Sequence, residues 1–134
     1  MPESYDQLIV ATYFEHFKTN NPDLLWAWDE VHVIARPELE KSWSLVLALV
    51  KGAPDDASLA YVGSGSLEDL LADHGQVAID RVTEAALQQP RFRKALASVD
   101  RVRLSDSVWE RISALGEDHD AAQRPSSGSK AREP

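Results

Sequence analysis

Pro37-Glu38-Leu39-Glu40-Lys41-Ser42-Trp43-Ser44-Leu45-Val46-Leu47-Ala48-Leu49-Val50 is the stretch that decides the fold. Leu39, Trp43, Val46, Leu47 and Val50 recur at three- and four-residue steps, the period of a helix that buries one stripe. Leu45 and Leu49 widen the stripe from Trp43 onward. A helix apolar on most of its sides belongs at the centre of a domain. Trp43 is therefore expected to anchor the core. Pro37 suits a first helical turn, and Arg36 before it marks a break, because the residue preceding a proline avoids helical geometry.

The same period continues on both sides, and strand-like alternation is scarce. A first helix is expected to start at Ser4, which forms a capping box with Gln7. It carries Ile9, Tyr13 and Phe17 and ends at Asn20-Asn21-Pro22. A second runs from Asp23 to Ala35, with Leu24, Trp28, Val31 and Ala35 inward. Beyond the turn at Lys51–Asp55, Asp56 caps a short helix through Val62, and Gly63 ends it in the left-handed conformation that glycine adopts cheaply. Ser66 caps a fifth helix (Leu67, Leu70, Leu71 inward) that Gly75 closes. A sixth offers Val82, Ala85 and Ala86, a seventh Phe92, Leu96 and Val99, and an eighth, capped near Ser105–Ser107, Val108, Ile112 and Leu115. The expected fold is all-α: a compact bundle of short antiparallel helix pairs, the second helix with the third and the fifth with the sixth, HEAT-like in shape but without a fixed-period repeat. One domain spans 1–116. Residues 117–134 contain no Leu, Ile, Val or aromatic residue. They are expected to be a disordered polar tail, because they bury too little to offset ordering entropy.

Composition excludes several chemistries. The chain has no cysteine, so disulfides, thiolate metal sites and a Cys nucleophile are out. Its net charge of −8 opposes nucleic-acid and anionic-membrane binding, which draw on Lys and Arg. The longest apolar run, Leu45–Val50, is far short of the ~20 residues a membrane span needs. No signal-peptide pattern is visible near the N-terminus, so the expected location is the cytoplasm. Charge is uneven: residues 1–80 carry net −10, and residues 81–115 carry net +3, in the cluster Arg91, Arg93, Lys94, Arg101 and Arg103. These bases are expected to complement acids on the second and third helices or to solvate a face.

Gly65-Ser66-Leu67-Glu68-Asp69-Leu70-Leu71-Ala72-Asp73-His74-Gly75, then Ile79-Asp80-Arg81, then Pro90-Arg91-Phe92-Arg93-Lys94-Ala95-Leu96, form a recognisable series. It resembles a small bacterial domain family of unknown function with the pattern G-x-L-E-D-L-L-x-x-H-G, I-D-R, P-x-F-R-x-A-L. Trp43 and the Ala53–Asp56 turn fit the same resemblance, which covers about residues 23–115. It implies a compact helical fold and carries over no activity and no catalytic residue.

Glu68, Asp69, Asp73 and His74 are the residues with most chemical promise. Two carboxylates and an imidazole can hold a divalent ion or move protons, which would make a small metal-dependent hydrolase. The structural reading explains more. Glu68 and Asp69 suit the dipole at a helix start, His74 suits its end, and Gly75 closes it. Gly63–Ser66 lacks the Lys of a phosphate loop, and no Gly-x-Ser-x-Gly elbow exists. His16, His32 and His119 are read as surface or interface residues. Asp80 and Arg81 either pair locally with Glu84 or reach across to another helix. Trp26 and Trp28 project about 200° apart, so one of them faces either the first helix or a partner. The expected function is therefore a non-enzymatic interaction module without cofactor or metal. Trp26, Asp29, Glu30 and Val33, with the acids after Gly63, would contact a basic protein partner of the kind an immunity or antitoxin-like protein meets. A structural homodimer is the other alternative.

Overall fold

Seven α-helices carry the apolar pattern, and no strand occurs among the described residues. They are α1 (Tyr5–Thr19), α2 (Leu25–Asp29), α3 (Leu39–Gly52), α4 (Asp56–Val62), α5 (Glu68–Gln88), α6 (Pro90–Leu96) and α7 (Asp106–Gln123). The computed structural model describes the backbone of residues 5–123 and the side chains of residues 5–115. Ser4 and its capping box therefore lie outside the described residues. So does most of the polar tail, although α7 continues past Gly116, where the apolar pattern ends.

Local chemistry explains the joints. Asn20 closes α1 at φ 56°, a left-handed geometry that Asn tolerates. Asn21 then accepts a hydrogen bond from the Asp23 amide and caps the turn Pro22–Leu24. Asp55, rather than Asp56, caps α4, its carboxylate accepting from the Ser58 amide at 2.8 Å. Arg91 closes α3 from another element: its guanidinium donates to the Val50 and Ala53 carbonyls at 2.8 and 2.7 Å. Those carbonyls belong to the end of a helix, where free acceptors and the negative dipole end favour a cation.

Two expected breaks are absent. Gly63 sits at φ −61°, ψ −47° and does not end a helix. The chain passes from α4 through a π-helical turn, Gly63–Leu67, directly into α5, so Ser66 caps nothing. Gly63 serves close packing instead, because a Cβ there would collide with the Ala95 carbonyl of α6. Nor does Gly75 stop a helix. The break falls one residue earlier, at His74 (φ −131°, ψ 19°), and α5 resumes beyond it as a kinked continuation. Gly75 lets Val108 of α7 approach, since a Cβ would lie 3.0 Å from its Cγ2. A second π turn, Glu30–Ile34, extends α2 and is closed by the Ala35 amide donating to the Glu30 carbonyl at 2.9 Å.

Packing reflects these joints. α3 touches α1, α4, α5 and α6, and α5 touches α3, α6 and α7. The pairs that form are α1 with α2 and α5 with α7. They replace the expected pairing of α2 with α3 and of two separate helices divided at Gly75. α3 is central, but it is rotated from the expected phase. Ser42, Leu45, Val46, Leu49 and Val50 are buried, whereas Trp43 and Leu47 lie half-buried at the edge. Trp43 leans on Phe92, 5.8 Å between ring centres, and Phe92 and Tyr13 are the large fully buried rings.

A helical Gly→Ala change in open space gains about 1 kcal/mol. Gly63→Ala should have the opposite sign, because the new methyl must displace α6. A loss of about 1–3 kcal/mol, read as a lower urea midpoint at unchanged slope, is the expected result.

Candidate functional site

The two π turns meet. A Cβ on Gly65 would lie 3.2 Å from Cε1 of His32, so one turn brings the imidazole against the bare backbone of the other. π turns redirect side chains and recur at functional sites. Here they gather a polar chain inside a helical core. Tyr13 of α1 contacts Nε2 of His32 at 2.7 Å, and Nδ1 of His32 contacts Oδ2 of Asp69 at 2.9 Å. Arg103, from the loop before α7, donates to the other oxygen of Asp69 at 2.7 Å and to Glu68 at 3.3 Å. Glu68 also accepts from the Asp100 amide at 3.0 Å. The His32 and Asp69 side chains are only 10% and 12% exposed, so each needs a partner to offset its lost hydration.

Electrostatics set the direction of the protons. Burial pushes the Asp69 carboxyl upward. The hydrogen bonds from His32 and Arg103 and the nearby charge of Arg36 outweigh it and hold the acid below its ordinary value. An ionised carboxylate only accepts, so the proton on His32 sits on Nδ1. Burial, followed by the influence of Tyr61 and Asp69, pushes the Tyr13 phenol far upward. Tyr13 therefore keeps its proton, and its hydroxyl meets Nε2 of His32. Trp28 lies against the imidazole at 4.6 Å, and Tyr61 is stacked beside Tyr13 at 5.3 Å. The relay thus runs from Tyr13 through His32 to Asp69 and ends on a guanidinium.

The structure redistributes the motif residues. Glu68 and Asp69 do not serve a helix start, because helical chain precedes them; their partners are Arg103 and His32. His32 is not a surface residue. His16 is half-buried, and the side chain of His119 lies outside the described residues. Asp73 accepts from both Nε and Nη2 of Arg36, and Nε2 of His74 donates to the Arg36 carbonyl at 2.9 Å. Arg36 stands 3.8 Å from Asp69 as well, so it bridges the two acids that share a helix face. Asp73, His74 and Gly75 border a shallow 240 Å³ depression with Gln76 and Ser105. Tyr13, His32, Glu68 and Asp69 line neither it nor the 540 Å³ opening between α5 and α7. Among the described residues, no three His, Asp or Glu side chains form a metal-holding group.

The second motif reaches across. Arg81 grips Glu40 of α3 with two hydrogen bonds of 3.0 and 2.8 Å, and Asp80 receives Arg111 of α7 at 3.0 Å. Three members of the basic cluster pair with acids that lie outside α2 and α3. Lys94 pairs with Asp56, Arg101 with Asp106, and Arg103 with Glu68 and Asp69. Trp28 turns inward to His32, while Trp26 is 37% exposed and stacks on Tyr5 of α1 at 6.4 Å. Val33 is 57% exposed, and Asp29 and Glu30 lie half-exposed beside it.

Tyr13, His32, Arg36 and Arg103 are the members that sequence reasoning missed. Their partners lie 34 to 37 residues away along the chain in the Arg36, His32 and Arg103 contacts, so no local spacing could reveal them. The one available signal was Glu68-Asp69 inside an apolar run, which demands buried cations from elsewhere.

A sequence model of a family of unknown function, DUF6869, matches residues 15–119. No curated protein and no solved structure matches the chain.

Because folding lowers the pKa of Asp69, its contribution to stability is complete above the ordinary carboxylate range and is lost as the pH falls through the depressed value. Asp69→Asn should cost about 1.5–3 kcal/mol near neutrality. It should also flatten the acid limb of a urea-midpoint series taken from about pH 7 to about pH 2. An acid limb as steep as that of the wild type would assign the pH dependence to other carboxylates.

Proposed function

Since the chain belongs to the DUF6869 family, which hands down no activity, we propose from its own geometry that it is a non-enzymatic, cytoplasmic, bacterial protein-binding module. The observation that carries this reading is a division of labour. The groups capable of chemistry are engaged with one another, whereas α2 and its π turn leave large side chains open to solvent. Tyr13 is fully buried, Asp69 is shared by His32 and Arg103, and Asp73 is held by Arg36. A hydrolase would need Glu68, Asp69, Asp73 and His74 to converge on one cavity with free lone pairs. Here Glu68 and Asp69 turn to Arg103 and His32, while Asp73 and His74 turn to Arg36, so the four do not converge.

The contact face is Trp26 and Asp29 of α2 with Glu30 and Val33 of the π turn that continues it. Leu25 and Ile34 flank it at 44% and 50% exposed. Large exposed apolar side chains gathered on one element mark an interaction surface more often than scattered ones do, and Trp is enriched where binding energy concentrates. Glu68 and Asp69 belong to the buried relay and drop out of the face. No helix among the described residues is long and apolar enough to cross a membrane. An immunity-like protein masking a basic toxin is the kind of role this face fits.

The test is capture from source-cell extract with wild type and with Trp26→Asp/Val33→Asp. Val33 is exposed, whereas Trp26 also stacks on Tyr5, so the double variant should stay folded with its unfolding free energy lowered by about 1–3 kcal/mol while losing a protein that the wild type retains. Identical retained sets would defeat the assignment.

A further inference from the structure

Most cations among the described residues are already engaged. Lys18 pairs with Asp55, Arg36 with Asp73, Lys41 with Glu38, Arg81 with Glu40, Lys94 with Asp56, Arg101 with Asp106 and Arg111 with Asp80. Arg103 belongs to the relay, and Arg91 to the end of α3. Asp29 and Glu30 make no ion pair with any described residue, although they stand between Trp26 and Val33. α1 and α2 together hold the acids Asp6, Glu15 and Asp29, and their one Lys or Arg is Lys18 at the far end of α1. Among the described residues, this side therefore carries Asp29 and Glu30 without a paired cation, and the same patch exposes Tyr5, Trp26, Val33 and Ile34.

We infer that the occupant of this face is a basic amphipathic helix of another protein, its apolar stripe on Trp26 and Val33 and its Lys or Arg side chains on Asp29 and Glu30. The inference rests on the binding-module reading and supplies the chemistry of its partner. Charge complementarity selects this occupant. In an isologous dimer the same patch meets itself, so a second copy would set Asp29 and Glu30 against their own equivalents. A nucleic acid or an anionic bilayer brings more negative charge to carboxylates that lack counter-ions. A basic amphipathic helix carries an apolar stripe beside its cations, which matches Trp26 and Val33 beside Asp29 and Glu30. Acids beside an apolar anchor speed encounter and reject acidic competitors.

The probe is a synthetic amphipathic peptide of Leu and Lys, titrated calorimetrically into the full chain beside a counterpart carrying Gln in place of Lys. The Lys peptide should bind wild type at least about tenfold more tightly than the Gln peptide, and the difference should shrink as salt is raised. Asp29→Asn/Glu30→Gln should weaken the Lys peptide about tenfold. Glu84→Gln/Glu110→Gln, which removes equal charge from α5 and α7, should change it less than about twofold. Equal weakening by both pairs reduces the effect to net charge and overturns the proposal, as does equal binding of the two peptides. Sedimentation that shows a dimer strengthened by Asp29→Asn/Glu30→Gln overturns it in favour of a second copy. A protein captured through Trp26 that survives Asp29→Asn/Glu30→Gln undiminished leaves the module standing and removes the basic partner. Capture that ignores Trp26 removes both.

Discussion

Asp69 carries a negative charge into the interior, and much of the architecture serves to neutralise it. A carboxylate nearly sealed from water is tolerated only when its lone pairs are filled and its charge is matched. The groups that do so come from three directions: His32 from the π turn after α2, Arg103 from the loop before α7, and Arg36 from the connection to α3. Tyr13 extends the chain into α1. One side chain thereby ties the first hairpin to the C-terminal half of the fold. Each donor can take only one place, so the network specifies relative position as well as stability. Apolar packing alone is less particular about register.

The two π turns make this arrangement geometrically feasible. Each inserts an extra residue into a helical turn and rotates the chain beyond it. In α2 the extra residue lets Ala27, Val31 and Ala35 stay buried while His32 reaches Asp69. Between α4 and α5 the glycines Gly63 and Gly65 let backbone approach α6 and the imidazole. Ordinary helical hydrogen-bond spacing is interrupted at both turns. In exchange the core gains a polar chain that links Tyr13, His32 and Asp69.

Charge outside the interior is arranged by the same logic. Acids on α3, α4, α5 and at the start of α7 meet cations, several of them across helix boundaries, as Glu40 meets Arg81 and Asp80 meets Arg111. Exposed pairs of this kind add about 0–1 kcal/mol each, so their larger effect is on where charge remains. Among the described residues, Asp29 and Glu30 on α2 and its π turn make no ion pair, and they lie next to the exposed aromatic pair Tyr5 and Trp26. Stability and recognition are thereby separated: the groups of the relay are engaged with one another, and the face on α2 is open.

Periodicity by itself determined the all-α class and most of the inward positions. Ile9, Val31, Leu70, Val82, Phe92, Leu96, Val108 and Ile112 are buried as their spacing requires, because a helix face is a local property of residues three and four apart. Composition likewise determined the absence of thiol chemistry and the excess of acid. Tertiary structure alone decided three things that local rules read otherwise. Glycine at 63 and 75 suggested helix ends, yet both serve close approach to another helix, a demand invisible from within one segment. Glu68 and Asp69 suggested a dipole-favoured first turn, yet their partners lie more than thirty residues away. Trp43 suggested a core anchor by size, yet the phase of α3 was set by what four neighbouring helices could accommodate, and that placed Leu45 and Leu49 inside. Sequence spacing encodes which residues share a face; only the assembled core decides what that face meets.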